Sequence, residues 1–129
     1  SGDKIMYINS NNELAASSSV SPTDASAIFE VVYLYQDYIT WSYWREWIPV
    51  VALKSVKTGK YIIVVNSTDR FKATGNSIGT AQKFWFQDNY GDIDFKSLYN
   101  NNSLDHDGRA SSINYSNYRI KIVDWGTYE

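Results

Sequence analysis

Apolar and polar residues alternate along most of this chain in short runs, interrupted by Asn, Gly, Asp and Ser. A period of two is the pattern of half-buried β-strands, and the interrupting residues are those that turns require. The clearest runs are Val51–Ser55, Lys60–Val64, Phe84–Phe86, Ile93–Lys96 and Arg119–Val123. Turns are predicted at Lys57-Thr58-Gly59, at Gly91 and at Asn100-Asn101-Asn102. One helix competes, from Asp24 to Tyr33 behind a Ser21-Pro22-Thr23 cap. An internal repeat argues against it.

Phe29-Glu30-Val31, Phe84-Trp85-Phe86 and Ile120-Lys121-Ile122 share the order apolar, outward, apolar. Each follows a polar stretch that itself follows a turn and a large apolar residue. Those turns are Asn11-Asn12-Glu13-Leu14, Thr58-Gly59-Lys60-Tyr61 and Asn101-Asn102-Ser103-Leu104. Val51-Ala52-Leu53-Lys54-Ser55 also matches Ile93-Asp94-Phe95-Lys96-Ser97 at an offset of 42 residues. The expected fold is all-β, a β-trefoil of three pseudo-repeats of about forty residues in one domain. The units fall at approximately 1–48, 49–91 and 92–129. One such unit cannot bury its edges; three around a common axis can. The core is expected to hold Phe29, Val31, Phe84, Phe86, Ile120 and Ile122, with Leu53, Tyr61, Phe95 and Leu104.

The segments Val51–Ile62, Phe71-Lys72-Ala73-Thr74 and Ser77–Phe84 together resemble the fascin-like repeat. That repeat has an apolar strand ending in Lys/Arg-Ser, then Asn/Thr-Gly-Lys-Tyr, a Leu-x-Ala stretch and Ile-Gly-x-x-Glu/Gln-x-Phe. Phe71 stands where Leu is usual. The likeness is good over 51–98 and reduced to a skeleton over 1–50 and 99–129. It implies a trefoil that serves either in actin bundling or as a carbohydrate-binding module beside a secreted glycosidase. A secreted location and an adjacent glycosidase domain follow from the resemblance alone. The Gln-x-Trp repeats of ricin-type lectin trefoils are absent from the sequence.

The first unit carries an insertion, since Phe29 to Phe84 spans 55 residues and Phe84 to Ile120 only 36. Most of the surplus is the stretch Tyr35–Ile48, which holds Trp41, Tyr43, Trp44 and Trp47 with Asp37, Arg45 and Glu46 beside them. Flat rings match the weakly apolar C–H faces of sugars, and the charged neighbours match sugar hydroxyls. The competing readings are a small apolar cluster under a long loop, or a contact covered by another domain. Trp85 replaces the charges found at Glu30 and Lys121, so it is expected to face outward. There it either stacks on sugar or packs under the aromatic hairpin.

Composition sharpens this picture. Five Trp and eleven Tyr in 129 residues are more than one core of that size would hold, so some rings belong on the surface. A net charge of −2 and a pI near 5.3, with cations scattered among acids, argue against nucleic acid. The sequence has no apolar run near the ~20 residues of a membrane span. It opens without a signal-peptide pattern, and a cleaved signal would leave no trace. Zero Cys removes thiolate catalysis and the common zinc sites.

Two motifs invite chemistry. Gly75-Asn76-Ser77-Ile78-Gly79 has the spacing of a nucleophile elbow, but that device needs a strand before it, a helix after it and a His fed by an acid. His106, the only His, falls in another unit. Asp105-His106-Asp107-Gly108 opens like a calcium loop and lacks the remaining oxygen ligands, so a turn explains it, with Asp105 and Asp107 kept as sugar-hydroxyl candidates. Sequons at Asn66, Asn101 and Asn114 are expected by chance in so Asn- and Ser-rich a chain.

The expectation is a non-catalytic polysaccharide or glycan binder without metal or cofactor. Its candidate ligand residues are Trp41, Tyr43, Trp44, Trp47, Asp37, Arg45, Glu46, Trp85, Asp105 and Asp107. The alternative is a protein-interaction module, of which an actin-binding trefoil is the fascin-like case.

Overall fold

The alternating runs form strands, and the architecture is all-β. The computed structural model describes residues 4–40, 45–64, 70–89, 92–99, 103–104, 110–111, 118–119 and 121–127, with backbone alone at 87–89, 92–94 and from 103 onward. Its strands are β1 (Lys4–Ile8), β2 (Leu14–Ser17), β3 (Ile28–Thr40), β4 (Arg45–Ser55), β5 (Tyr61–Ile63), β6 (Lys72–Gly75), β7 (Phe84–Asn89), β8 (Asp92–Ser97), β9 (Ser103–Leu104), β10 (Ala110–Ser111), β11 (Tyr118–Arg119) and β12 (Lys121–Thr127). One sheet runs β11-β1-β2 and the other β10-β9-β8-β7-β4-β3-β12, with the β5–β6 pair attached to β4. Neither sheet closes on itself among the described residues. The β1–β11 and β3–β12 pairings are parallel, and the remaining pairs are antiparallel.

The competing helix at 24–33 shrinks to one 3-10 turn, Ala25–Ala27. Asp24 caps it, its Oδ1 accepting from the Ser26 N–H at 2.9 Å and from the Ser26 hydroxyl at 2.7 Å. Beyond Ala27 come Ile28, Val31 and Val32, whose branched side chains favour extended backbone. The chain therefore leaves the turn directly into β3.

The same local geometry occurs twice. The β3–β4 hairpin pairs Phe29 with Ser55, Glu30 with Lys54 and Val31 with Leu53. The β7–β8 hairpin pairs Phe84 with Ser97, Trp85 with Lys96 and Phe86 with Phe95. A 3-10 turn precedes each, at Ala25–Ala27 and Thr80–Gln82. Each hairpin is extended by one further bond at 3.1 Å, from Val56 N to Ile28 O and from Leu98 N to Lys83 O. Ser55 and Ser97 are both fully buried, and each hydroxyl accepts a nearby backbone N–H, from Thr58 and Tyr99 respectively. Buried hydroxyls without such partners would be costly. The preceding turns match too: Asn12 at φ 60° and Gly59 at φ 68° are the left-handed residues of their loops.

The two hairpins supply the centre of the core. Phe84 sits between Phe71, at 5.6 Å between ring centroids, and Phe95, at 6.5 Å and edge-on. Phe29, Val31, Leu53, Met6, Ile8 and Leu14 are buried around them. Phe86 is half-buried and edge-on to Phe95. Tyr61 departs from expectation, for it is half-buried, with Lys54 Nζ 5.7 Å from its ring centroid, and Ile62 takes the interior place. The cause is the pairing with β4: Tyr61 lies opposite Lys54, between the buried Leu53 and Ser55, so alternation turns Tyr61 outward and Ile62 inward. Ile120 lies outside the described residues, and only the backbone is described at Leu104 and Ile122.

Candidate functional site

The longest strands in the described chain are β3 and β4, and their outer halves form the inserted hairpin. Its register runs Tyr35–Val50, Gln36–Pro49, Asp37–Ile48, Tyr38–Trp47, Ile39–Glu46 and Thr40–Arg45. Directly opposed residues share a face and successive pairs alternate. One face therefore carries Gln36, Tyr38, Thr40, Arg45, Trp47 and Pro49. The other carries Tyr35, Asp37, Ile39, Glu46, Ile48 and Val50.

Burial differs between the two faces, although Tyr35 and Glu46 on the second are exposed. Ile48 and Val50 are buried, whereas Tyr38 is 47% and Trp47 66% exposed. Trp47 is thus the most exposed large apolar side chain among the described residues. The Tyr38 and Trp47 rings lie 4.8 Å apart between centroids with their planes tilted by 45°. A cross-strand aromatic pair stabilises the hairpin by about 0.2–1 kcal/mol, which helps hold two rings in water without a core beneath them.

The opposite face fastens the hairpin to the body. Trp85 Nε1 donates to Asp37 Oδ2 at 2.8 Å. Lys83 Nζ stands 5.3 Å from the Tyr35 ring centroid, a cation–π distance. Backbone pairing places Trp85 opposite Val50 on one side and Lys96 on the other. The face of β7 that carries Trp85 therefore continues the Asp37 face of the hairpin.

The structure thus divides the expected ligand residues. Trp47 and Arg45 stand on the exposed face, Asp37 and Trp85 join in a hydrogen bond on the anchored face, and Glu46 belongs to the anchored face near its tip. Of the two alternatives for Trp85, the half-buried indole packs with the hairpin. Trp41, Tyr43, Trp44, Asp105 and Asp107 lie outside the described residues, as does His106. Tyr38 was not among the expected site residues. Its signal was available: with 41–44 as the connection, an antiparallel hairpin sets residue 38 opposite residue 47.

Other candidates carry less. The Gly75–Gly79 stretch leaves β6 and enters a single 3-10 turn, Thr80–Gln82, so it has no strand-to-helix elbow. Among the described residues no cluster of three or more His, Asp or Glu could hold a metal. No described helix is long and apolar enough to cross a membrane. An open cleft of about 560 Å³ lies between Asn12, Lys57, Lys60 and Asn76. Its cations are engaged: Lys57 Nζ donates to the Ile8 and Asn9 carbonyls, and Lys60 Nζ to Asn76 Oδ1.

Comparison with protein-family models, with curated proteins and with solved structures finds no match to the chain.

Proposed function

We propose that this domain is a non-catalytic carbohydrate-binding module whose ligand meets the Tyr38–Trp47 face of the inserted hairpin. The observation that carries the reading is the exposed ring pair itself, held at 4.8 Å on a hairpin whose other face is anchored. Two rings fixed before the ligand arrives lose little freedom on binding, and aromatic faces match the C–H faces of pyranoses. The fascin-like resemblance of 51–98 supports the same reading, and with it a trefoil arrangement, a secreted parent and a glycosidase neighbour. The recurrence of turn, strand and paired strand in the β3–β4 and β7–β8 hairpins is what a repeat-built trefoil requires.

A few stacking contacts on an open face correspond to micromolar-to-millimolar affinity, about −8 to −4 kcal/mol. The test is retention on a panel of polysaccharides by affinity electrophoresis. Trp47→Ala and Tyr38→Ala are expected to weaken retention while leaving the unfolding midpoint within a few degrees. Full retention by both variants would remove this face as the site, and a wild-type domain retained by no polysaccharide would remove the function.

A further inference from the structure

Arg45 shares the exposed face with the ring pair. It lies directly opposite Thr40 and one same-face step from Trp47, so the guanidinium stem starts roughly 7 Å along the strand from the indole. Its side chain is exposed, and among the described residues it has no ion-pair or hydrogen-bond partner. Gln36, Tyr38, Thr40, Trp47 and Pro49 complete this face among the described residues of the hairpin, so Arg45 is the single charge among them. The two acids of the hairpin, Asp37 and Glu46, fall on the opposite face, and Asp37 is occupied by Trp85. A chain of net charge −2 has thus placed a cation beside the exposed Tyr38–Trp47 pair, on the hairpin face that carries no described acid.

Deepening the sugar-binding reading, on which this rests, we infer that the ligand is an acidic glycan bearing carboxylate or sulfate groups. Tyr38 and Trp47 take the ring face of one sugar unit, and Arg45 takes its anionic substituent. The rings are tilted by 45° and only 4.8 Å apart, so they form one subsite and not a flat row for successive units. Guanidinium suits the pairing because its planar fork grips carboxylate or sulfate oxygens with two parallel N–H donors. The net negative charge also removes the trivial explanation, since a polyanion gains nothing from this protein at long range.

The experiment compares retention of the intact domain in gels containing polygalacturonate, alginate or chondroitin sulfate with gels containing β-glucan, xylan or galactomannan. A poly-L-glutamate gel serves as the non-sugar polyanion. Wild-type protein is expected to be retained by at least one acidic glycan, more weakly by neutral polymers and by polyglutamate. Arg45→Gln should weaken acidic retention about tenfold, Arg45→Lys should recover part of it, and Trp47→Ala should abolish most of it. Retention only by neutral polymers, or an acidic retention untouched by Arg45→Gln, overturns the acidic assignment and leaves sugar binding standing. Polyglutamate retention equal to that by the best glycan overturns it in favour of an acidic protein segment. Retention by none of the gels removes both this inference and the reading beneath it.

Discussion

The Trp85 indole and the Asp37 carboxylate, 48 residues apart in the chain, meet in a 2.8 Å hydrogen bond that ties the inserted hairpin to β7. A bond to a charged acceptor in a partly exposed setting should contribute about 1 kcal/mol. Asp37→Ala and Trp85→Phe are each expected to lower stability by roughly that amount. The double variant should lose less than the sum, because each single change already breaks the same bond. Chemical denaturation of the four proteins checks this, and strict additivity would mean the bond contributes nothing.

Phe84 is the ring on which the core converges, flanked by Phe71 and Phe95. Phe84→Ala should cost about 3–5 kcal/mol, near the whole stability of a small domain. Phe84→Leu should fold with a smaller loss. Thermal unfolding of the pair separates cavity formation from loss of the fold.

At Gly59 the backbone sits at φ 68°, yet a Cβ added there would meet nothing within 4 Å. The cost of Gly59→Ala is therefore conformational and not steric, about 1 kcal/mol. Gly59→Asn should cost less, since Asn tolerates this region and the matching turn already uses Asn12 at φ 60°. An unfolding series with Ala, Asn and Val at 59 is expected to follow that order, with Val the least stable.

Hydrogen bonds from the Ser26 backbone and then its hydroxyl, with a smaller effect of Lys57, hold the Asp24 carboxyl below its ordinary pKa of 3.8. A depressed folded-state value stabilises the fold above the unfolded pKa, and this contribution disappears as pH falls through the folded one. Titration of Asp24 by NMR should give a midpoint under 3.8, and Ser26→Ala should move it up by removing the hydroxyl donor. An unmoved midpoint would leave the backbone N–H and Lys57 as the causes.

The strands and the paired positions of the two hairpins are legible in the sequence because a period of two survives wherever one face is buried. Phe29, Val31, Leu53, Phe84 and Phe95 are read correctly as interior for that reason. Tyr61 is misread because its face is set by the cross-strand pairing with Lys54, which the run Lys60–Val64, apolar at four successive positions, does not reveal. Asp37 looks in sequence like a polar edge for sugar hydroxyls. Its partner Trp85 is invisible there, since the contact joins segments 48 residues apart. Tyr38 stands nine residues before Trp47 and meets it only through the hairpin register.

In β3 the register steps from Tyr33–Val51 to Tyr35–Val50, which leaves Leu34 as an extra residue. An unpaired residue bends its strand and sharpens the local twist. The ladder face that buries Val31 and Leu53 below this point is continued above it by Tyr38 and Trp47, now in solvent. Deleting Leu34 should preserve every β3–β4 pairing yet straighten the ribbon, and the expected readout is loss of the Trp85–Asp37 bond in an NMR spectrum of the indole proton. Beyond the bend, the hairpin can lengthen without disturbing anything beneath it, provided residues are added to both strands in twos. Adding one to each strand would turn every distal side chain over. Evolution, or an engineer, can thus retune reach and ring composition at the tip by a parity rule, while the core packing beneath stays as it is.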